Sequence, residues 1–407
     1  MTTPSVPRQR VIFGTLVSDG HRIPDGVLAT VGDRISYAGP AAGFVPDPEA
    51  EELRLAEGAL ILPGLIDVHN HGAVGGDFPG ADETAARRAI DFLHRSGTTT
   101  LLASMVTASE ADLLRGVELY ARLSKEGLLA GIHLEGPFLS AARCGAQDPA
   151  YLLEPDLALA ERLIAAGEGK ILTMTYAPEL PGAAALVDLL TGYGVTPSLG
   201  HTDADAEVAA ASLQQARDGL DPAGFDGNSG RPTVTHLFNG MPPMHHRSPG
   251  PVSACLRIAR AGAAAVELIA DNTHLDPQTV LMVFELVGAK NIILVSDSMA
   301  ATGLADGSYR LGPAQVTVAG GVATLDATGS IAGGTATLFQ ILQRTAAAGV
   351  PLEDAVSSAT AVPARLLGLS DEVGGLRRGL RADALVVNPD GQLESVLRAG
   401  MWLESPR

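Results

Sequence analysis

The chain contains 407 residues, of which 46% are hydrophobic and 18% are charged, and its formal net charge is −18. This composition can bury a large core and argues against a disordered chain, and the length allows either two or three domains or one α/β barrel with an attachment. The negative charge argues against nucleic acid or an anionic membrane as the main partner, although local cations and backbone amides can still bind one phosphate.

Cysteine content and the character of the first residues favour a cytoplasmic location. Cys144 and Cys255 are too few for a disulfide framework, which is expected of a protein from a reducing compartment. The first residues lack the apolar core of a signal peptide, and no apolar stretch approaches the length of a membrane span. We therefore expect a cytoplasmic protein whose partners include neither nucleic acid nor membrane.

Short strands separated by turns are predicted at both ends of the chain. The segments 10–14, 26–31 and 34–39, and later 382–388, 391–396 and 400–403, are apolar and bounded mostly by Gly, Asp or Pro. Neither end is large enough to fold comfortably alone. We therefore predict one small β-sandwich domain built from residues 1–62 and 369–407 and wrapped around a central domain of residues 63–368.

The central region alternates strand-like and helix-like segments. Helical segments are predicted at 84–96, 110–125, 156–166, 205–218 and 276–287. Eight candidate strands end near His71, Met105, Glu135, Ala177, His201, Asn239, His274 and Asp297. This alternation indicates a (β/α)8 TIM-like barrel, with a doubly wound open sheet as the alternative. We also predict a loop at 218–231 before the sixth strand and a β-hairpin or flap at 303–328 after the eighth.

A His-x-His pair, His69 and His71, lies at the end of the apolar run 61–72. The run is bounded by Pro and Gly and indicates a buried strand. Side chains at i and i+2 of a strand point the same way, so we expect the two imidazoles to project together. Imidazole is a preferred ligand of zinc and similar divalent ions, and the alternative is a pair of surface loop histidines.

Polar residues concentrate where the predicted strands end, which is where barrel enzymes place catalytic groups. Burying many such groups is costly unless they are paired or bind metal. A set of His and carboxylate without Cys suits zinc, iron, manganese or cobalt in a hydrolytic site rather than a structural zinc. The residues concerned are His69, His71, Glu135, His201, His236, His274 and Asp297.

Specific motifs follow several of these strands: His-Leu-Glu-Gly-Pro-Phe at 133–138, Gly-His-Thr-Asp-Ala at 200–204, Thr-His-Leu-Phe-Asn-Gly-Met-Pro-Pro at 235–243 and Ser-Asp-Ser-Met-Ala-Ala-Thr-Gly at 296–303. With them the chain resembles, over essentially its whole length, the amidohydrolase superfamily and within it the N-acetylglucosamine-6-phosphate deacetylase family. The resemblance implies metal-dependent hydrolysis of the N-acetyl group of N-acetylglucosamine 6-phosphate to glucosamine 6-phosphate and acetate, in amino-sugar catabolism or cell-wall recycling.

The resemblance also implies a role for each candidate residue. Glu135, His201 and His236 would hold the principal metal, and Asp297 would be the general acid and base. His69 and His71 match family members that have a second metal site. Substrate contacts are implied for Ala146, Gln147, Asn239, Gly240, Arg247, His274, Ile331, Ala332 and Gly333. Arg247 and His274 would act from a neighbouring subunit. We expect one or two divalent ions per subunit, with zinc foremost and iron, manganese, cobalt or cadmium as alternatives, and a homodimer or higher homo-oligomer.

Some positions leave alternatives open. Gln147 stands where many family members have His, and Asn272 stands where Gly is usual. His133 is either an outer ligand or a packing residue of the strand layer. Two other functions are considered: an amidohydrolase acting on a cyclic amide or related N-acyl substrate, which would not need Arg247, and a non-catalytic scaffold, which would tend to lose its ligands.

Overall fold

The structure is a computed structural model that describes residues 8–221 and 230–403. Its strands follow in chain order: β1 (Gln9–Ser18), β2 (His21–Val31), β3 (Arg34–Pro40), β4 (Glu51–Arg54), β5 (Leu60–Pro63), β6 (Leu65–Asp67), β7 (Gly72–Ala73), β8 (Gly76–Asp77), β9 (Thr98–Met105), β10 (Gly131–Glu135), β11 (Ile171–Tyr176), β12 (Thr196–Leu199), β13 (Thr233–Val234), β14 (Ala265–Leu268), β15 (Ile292–Leu294), β16 (Gly307–Leu311), β17 (Ala314–Ala319), β18 (Val322–Leu325), β19 (Ala384–Val387), β20 (Leu393–Arg398) and β21 (Met401–Trp402).

The helices lie between and after the central strands: α1 (Glu83–Arg95), α2 (Glu110–Lys125), α3 (Leu157–Gly167), α4 (Ala183–Gly192), α5 (Ala206–Leu220), α6 (Gly250–Arg260), α7 (Pro277–Val287), α8 (Leu338–Ala347), α9 (Leu352–Ser358) and α10 (Ala361–Leu366). Single 3₁₀ turns occur at Phe78–Gly80, Ala141–Arg143, Pro149–Tyr151 and Ala289–Asn291. Within the described ranges, none of the helices combines the length and the apolar character that a bilayer crossing requires.

The central strands form a parallel barrel. In the described part of the chain the order is β15-β14-β13-β12-β11-β10-β9-β6, and every neighbouring pair is parallel. Residues at and just beyond the carboxyl ends of β15 and β6 connect these two strands and close the barrel: Asp297 N donates to His69 O at 2.9 Å, and Ser296 Oγ donates to Asp67 Oδ2 at 2.6 Å. This circular order confirms the predicted TIM-like barrel and excludes the open doubly wound sheet.

The two ends of the chain meet in one sheet. Its order is β21-β20-β19-β5-β1-β2-β3, and β4 also pairs with β1. Strand β5 links the ends because it runs parallel to β1 and antiparallel to β19. Alternating side chains of β1 and β2 contribute to separate apolar clusters, with Ile12 and Leu28 in one and Val11 and Val27 in the other. The domain boundaries at 62/63 and 368/369 remain a prediction.

An antiparallel insert follows the last barrel strand. Strand β17 pairs with β16 on one side and β18 on the other, so the predicted hairpin at 303–328 has a third strand. Its apolar face packs against Met299 and Ala300, beside the carboxyl end of β15. The carboxylate of Asp77 accepts from Gly312 N and ties the insert to the first strand–helix connection. Most of the predicted loop at 218–231 lies outside the described residues, and α5 extends into its start.

Candidate active site

The carboxyl ends of the barrel strands bring imidazole and carboxylate side chains to one cavity. His69 and His71 follow β6, Glu135 ends β10, His201 and His236 follow β12 and β13, and Asp297 follows β15. Each of these residues is buried. Three of them, His201, His236 and Asp297, have backbone φ angles of 46°, 28° and 48°. Left-handed backbone in residues other than Gly is costly and is often found at functional sites.

His and acidic side chains in the described ranges form two groups that could hold a metal. In the first, Glu135 Oε1 lies 2.9 Å from His201 Nε2 and 3.0 Å from His236 Nε2, and the two ring nitrogens are 3.1 Å apart. We call this the principal cluster.

The second cluster consists of His69, His71 and Asp297. The Nε2 atoms of the two imidazoles are 3.2 Å apart, and Asp297 Oδ1 lies 3.4 Å from the first and 3.2 Å from the second. Glu135 adjoins both clusters, because its Oε2 is 3.3 Å from His71 Nε2. The predicted convergence of His69 and His71 is therefore seen, but both residues lie beyond the end of β6 rather than on a strand.

Hydrogen bonds on the far side of the rings fix which nitrogen faces the cavity. His71 Nδ1 lies 3.1 Å from Ser104 O, and His201 Nδ1 lies 2.8 Å from Arg143 O. A carbonyl oxygen only accepts, so each Nδ1 carries a hydrogen. In the neutral rings the Nε2 lone pairs consequently point into the cavity, which is the form in which imidazole binds a metal.

The donor set fits a divalent cation. Nitrogen lone pairs that face each other at 3.1–3.2 Å repel unless positive charge lies beside them. The neighbouring carboxylates also favour positive charge here: burial lowers the pKa of His71, but hydrogen bonds that its ring donates to Asp297 and Glu135 outweigh burial and raise the pKa to about 9. Imidazole and carboxylate donors without thiolate suit zinc, iron, manganese or cobalt.

Both cavity carboxylates are ionised at neutral pH. Burial opposes ionisation of Glu135, but when the rings of His201 and His236 carry a hydrogen on Nε2, their hydrogen bonds hold the pKa of its carboxyl well below the usual range. Burial likewise opposes ionisation of Asp297, but the hydrogen bond from His71, donated when its ring is protonated on Nε2, outweighs burial and lowers the pKa of Asp297. Asp297 can therefore accept a proton during a reaction.

Most of the substrate positions lie in the wall of this cavity. The lining includes Ala146, Gln147, Asn239, Gly240, His274, Ile331 and Gly333, together with His71, Glu135, Gly145, His201, His236, Asp297 and Leu311. Ala332 is buried between two lining residues and is not itself in the wall. Arg247 is exposed on the loop after β13 and does not line the cavity. A glycine is required at 240, because a Cβ there would meet His201 Nδ1 at 2.8 Å.

Gln147 has both ends of its amide engaged within the chain. Its Oε1 accepts from Thr107 N at 2.7 Å, and its Nε2 donates to Glu135 Oε2 at 2.7 Å. The backbone donor fixes the orientation of the amide, so the NH₂ group must face the carboxylate. Gln147 therefore contacts a metal-cluster residue directly, which the sequence did not indicate.

His274 is oriented by the acidic residue that begins its turn. Asp271 accepts from His274 N at 2.7 Å and from His274 Nδ1 at 2.8 Å. His274 Nε2 lies 3.9 Å from Asp297 Oδ2, so His274 reaches the cavity of its own chain, whereas the family resemblance implied that it acts from a neighbouring subunit. Asn272 adopts φ 64°, a left-handed conformation that Asn tolerates, so this turn does not require the Gly that is usual there.

Two further buried residues clarify the site. His133 has one ring nitrogen 3.0 Å from Ser104 Oγ and the other 2.8 Å from Thr175 Oγ1, so neither is free for a metal and it packs in the strand layer. Glu267, which the sequence analysis missed, contacts His69 Nδ1 with its Oε2 at 3.1 Å. The available signal was a charged residue inside the otherwise apolar run of β14.

Comparison with known proteins agrees with this geometry. Residues 60–403 match the amidohydrolase family. The N-acetylglucosamine-6-phosphate deacetylase of Lysinibacillus sphaericus is 34% identical over 349 residues, covering 84% of this chain and 85% of that protein. The N-acetylgalactosamine-6-phosphate deacetylase of Escherichia coli O157:H7 is 31% identical, covering 90% of each chain.

A solved structure extends the similarity to three dimensions. N-acetyl-D-glucosamine-6-phosphate deacetylase from Mycobacterium smegmatis, a mutant in complex with N-acetyl-D-glucosamine-6-phosphate, superposes with a TM-score of 0.88. Its sequence is 37% identical, and the match covers 98% of this chain and all of that one. The chain therefore belongs to the amidohydrolase family, within the group of its members that are named N-acetylglucosamine-6-phosphate deacetylases.

Proposed function

We propose that the protein is a metal-dependent deacetylase that hydrolyses N-acetylglucosamine 6-phosphate to glucosamine 6-phosphate and acetate. The observation that carries the proposal is the meeting of the principal cluster and an ionised Asp297 in one cavity of an amidohydrolase barrel. The substrate comes from the relatives: several are named for this deacetylation, and one related structure holds this sugar phosphate.

Different residues of the chain take part in different steps of the hydrolysis. When bound between these ligands, a divalent ion would lower the pKa of water and polarise the acetyl carbonyl. Asp297 accepts the proton of the attacking water and returns it to the nitrogen as the amide C–N bond breaks, which makes the amine a usable leaving group. Burial lowers the pKa of His274, but Asp271 outweighs burial and raises it, so Nε2 of His274 can donate to the developing oxyanion.

We further propose that Glu135, His201 and His236 hold the principal ion and that His69, His71 and Asp297 border a second, weaker one. Support comes from Glu135, whose two oxygens face the two clusters. Zinc is the first choice because nitrogen and oxygen ligands without thiolate are common in its catalytic sites. Iron, manganese, cobalt and cadmium are the alternatives for the same donors.

We propose a cytoplasmic homodimer with shared active sites, and the exposed position of Arg247 supports the sharing. Arg247 does not line the cavity of its own chain, while Asn239 and Gly240, on the same connection after β13, do. A planar guanidinium suits a phosphate because it can bind two oxygens at once. We propose that Arg247 binds the phosphate of a substrate held by the partner subunit.

N-acetylgalactosamine 6-phosphate is the second candidate substrate. A relative named for its deacetylation is 31% identical over 90% of this chain, similar to the identities of the glucosamine enzymes. The two sugars differ at one ring hydroxyl, and the acetyl group and phosphate are common to both.

One panel of substrates tests the function. Acetate release is measured for N-acetylglucosamine 6-phosphate, N-acetylgalactosamine 6-phosphate and unphosphorylated N-acetylglucosamine, with metal content determined on the same preparation. We expect turnover of a phosphorylated sugar, highest for the glucosamine form, and loss of turnover after chelation. Equal turnover of the unphosphorylated sugar would contradict the phosphate requirement, and no acetate from any of the three would contradict the function.

A further inference from the structure

Glu267 is a carboxylate buried inside the barrel, next to both metal clusters. It lies on β14, whose residues are all buried, and only 3% of its surface is exposed. A carboxylate is costly to bury unless hydrogen bonds or a cation compensate it. Among residues 8–221 and 230–403, no Lys or Arg forms an ion pair with Glu267, so its compensation must come from the site itself.

The contacts of Glu267 connect it to one ligand from each cluster. Its Oε2 lies 3.1 Å from His69 Nδ1 and accepts from His236 N at 3.2 Å. The first contact is to a ring nitrogen and the second is to the backbone of a residue with a strained φ of 28°. Glu267 therefore contacts the ring of His69, whereas at His236 it contacts the backbone and not the ring.

The partner of His69 differs from those of the other cluster imidazoles. His71 and His201 donate from Nδ1 to neutral backbone carbonyls, and His236 Nδ1 is buried with no partner in the described part of the chain. Of these rings, only His69 faces a carboxylate with the nitrogen that is turned away from the cavity. Such a partner fixes the ring tautomer and makes the ligating nitrogen more basic.

We propose that Glu267 is a positioning residue for the second metal subsite. It holds the hydrogen of His69 on Nδ1 and so presents the Nε2 lone pair to the ion beside His71 and Asp297. The proposal rests on the proposed function only in requiring a metal in this cavity, and it does not depend on which sugar is the substrate.

Metal titration of the Glu267→Gln variant tests the proposal. Zinc is added back to chelated full-length protein, and stoichiometry and affinity are measured by calorimetry. We expect wild-type protein to bind two equivalents, and the variant to keep the tight one while its affinity for the weaker one falls about 10- to 100-fold. Asp383→Asn is the matched control, because Asp383 is a buried carboxylate beside the amino ends of β6 and β9 and should leave both equivalents unchanged.

A second measurement uses the zinc-loaded wild-type protein and therefore does not depend on whether the Glu267→Gln variant folds. Nitrogen-15 NMR of the histidine rings, assigned by comparison with His69→Gln, should show a hydrogen on Nδ1 and metal ligation through Nε2 of His69. The opposite tautomer, an unchanged weaker equivalent in Glu267→Gln, or a single equivalent in wild-type protein under zinc excess would each overturn the proposal. Acetate release by the same wild-type preparation decides the proposed function separately.

Discussion

At the scale of single residues, a second hydrogen bond outside the metal clusters orients several of the ligands, among them His71, His201 and Glu135. Gln147 illustrates this, because it stands where the family resemblance implies a substrate contact, yet its amide bridges Thr107 N and the Oε2 of Glu135. A hydrogen bond to a buried carboxylate both stabilises the charge and fixes its rotamer. The two roles, ligand support and substrate contact, lead to different mutant behaviour.

The Gln147→Ala variant separates these roles. We expect it to lower the affinity for the principal metal about tenfold or more, because Glu135 loses the donor that orients it. Metal affinity from chelator competition and KM for the sugar phosphate are measured on the same protein. The Gln147→Glu variant, which places a second carboxylate beside Glu135, should weaken metal retention more than the alanine variant. Unchanged metal affinity with a raised KM would instead assign Gln147 to substrate.

Much of the site was predictable residue by residue, because chemistry determines which side chains bind metals. The strand-end positions of His69, His71, Glu135 and Asp297 predicted that these side chains would meet at one end of the barrel, as they do. Ring orientation was not predictable, because it depends on carbonyls such as Ser104 O that are distant in sequence. Glu267 was missed for the same reason: its partners, His69 and the His236 backbone, come from other strands of the barrel.

At the scale of elements, every predicted helix begins after a side-chain cap, but a cap alone did not reveal a helix. Helix α8 begins after Thr337, whose side chain accepts from Gln340 N, and it was missed. Helices α1, α2, α3, α5 and α7 each begin after an Asp or Ser that accepts from a first-turn N–H, and all five were predicted within two residues of their bounds. Helices α4 and α6 follow Gly182 and Pro249, which offer no side-chain acceptor. The start signal was therefore absent from their sequences.

The cap of α5 provides a stability prediction. Asp205 Oδ1 accepts from Glu207 N at 2.9 Å and from Val208 N at 2.8 Å. The Asp205→Ala variant leaves both donors without this partner and should lower the free energy of unfolding by about 1 kcal/mol. Urea denaturation measures the change, and Asp205→Ser, which keeps a capping oxygen, is the control. Equal stability of the alanine variant and wild type would show that the cap contributes nothing.

The strand that precedes the His-x-His pair ends earlier than predicted, yet the two histidines converge as predicted. The i, i+2 rule predicted that His69 and His71 point together, but β6 ends at Asp67. The two rings converge because neighbouring connections hold the backbone: His71 N donates to Ser298 O at 2.6 Å, and Asp297 N donates to His69 O at 2.9 Å. Barrel closure, rather than strand pleat, aligns the ligands.

At the scale of the whole molecule, we expect acid stability to depend in part on His94, a buried residue of α1 that does not line the cavity. Burial lowers the pKa of His94 to about 4, because neighbouring Arg398 adds to the effect and the carbonyls of Thr98 and Leu128 do not compensate. In the unfolded chain His94 has its ordinary pKa of 6.5, whereas in the folded chain its pKa is about 4. Between these two pH values the unfolded chain therefore binds a proton that the folded chain does not. Stability from this group is therefore complete above pH 6.5 and is lost as pH falls toward 4.

The His94→Gln variant tests this pH dependence. Its glutamine does not titrate, so the stability difference between wild type and variant should shift against the wild type by about 3 kcal/mol between pH 7 and pH 4. Urea midpoints of chelated proteins across this range measure the shift, and chelation removes the contribution of metal release. A difference that stays constant with pH would contradict the buried neutral state of His94.

Assembly is the second property of the whole molecule that can be tested. The Arg247→Ala and Asp297→Asn variants, each inactive alone, are co-expressed in equal amounts. If Arg247 acts across the interface, one of the two sites in each mixed dimer is complete, so with random pairing about a quarter of all sites should work. A mixture as inactive as its parents, or a monomer at working concentration, would contradict the shared site.

The central claim is that Asp297 carries the proton for a reaction at the metal clusters, and the Asp297→Asn variant tests it most directly. The measurement is the rate of acetate release from N-acetylglucosamine 6-phosphate at saturating metal, with bound metal quantified in the same sample. We predict that the principal equivalent is retained and that the rate falls by about 10²- to 10⁴-fold, toward the larger figure because Asp297 serves both proton transfers. A rate within about tenfold of wild type, with the metal intact, would contradict the account.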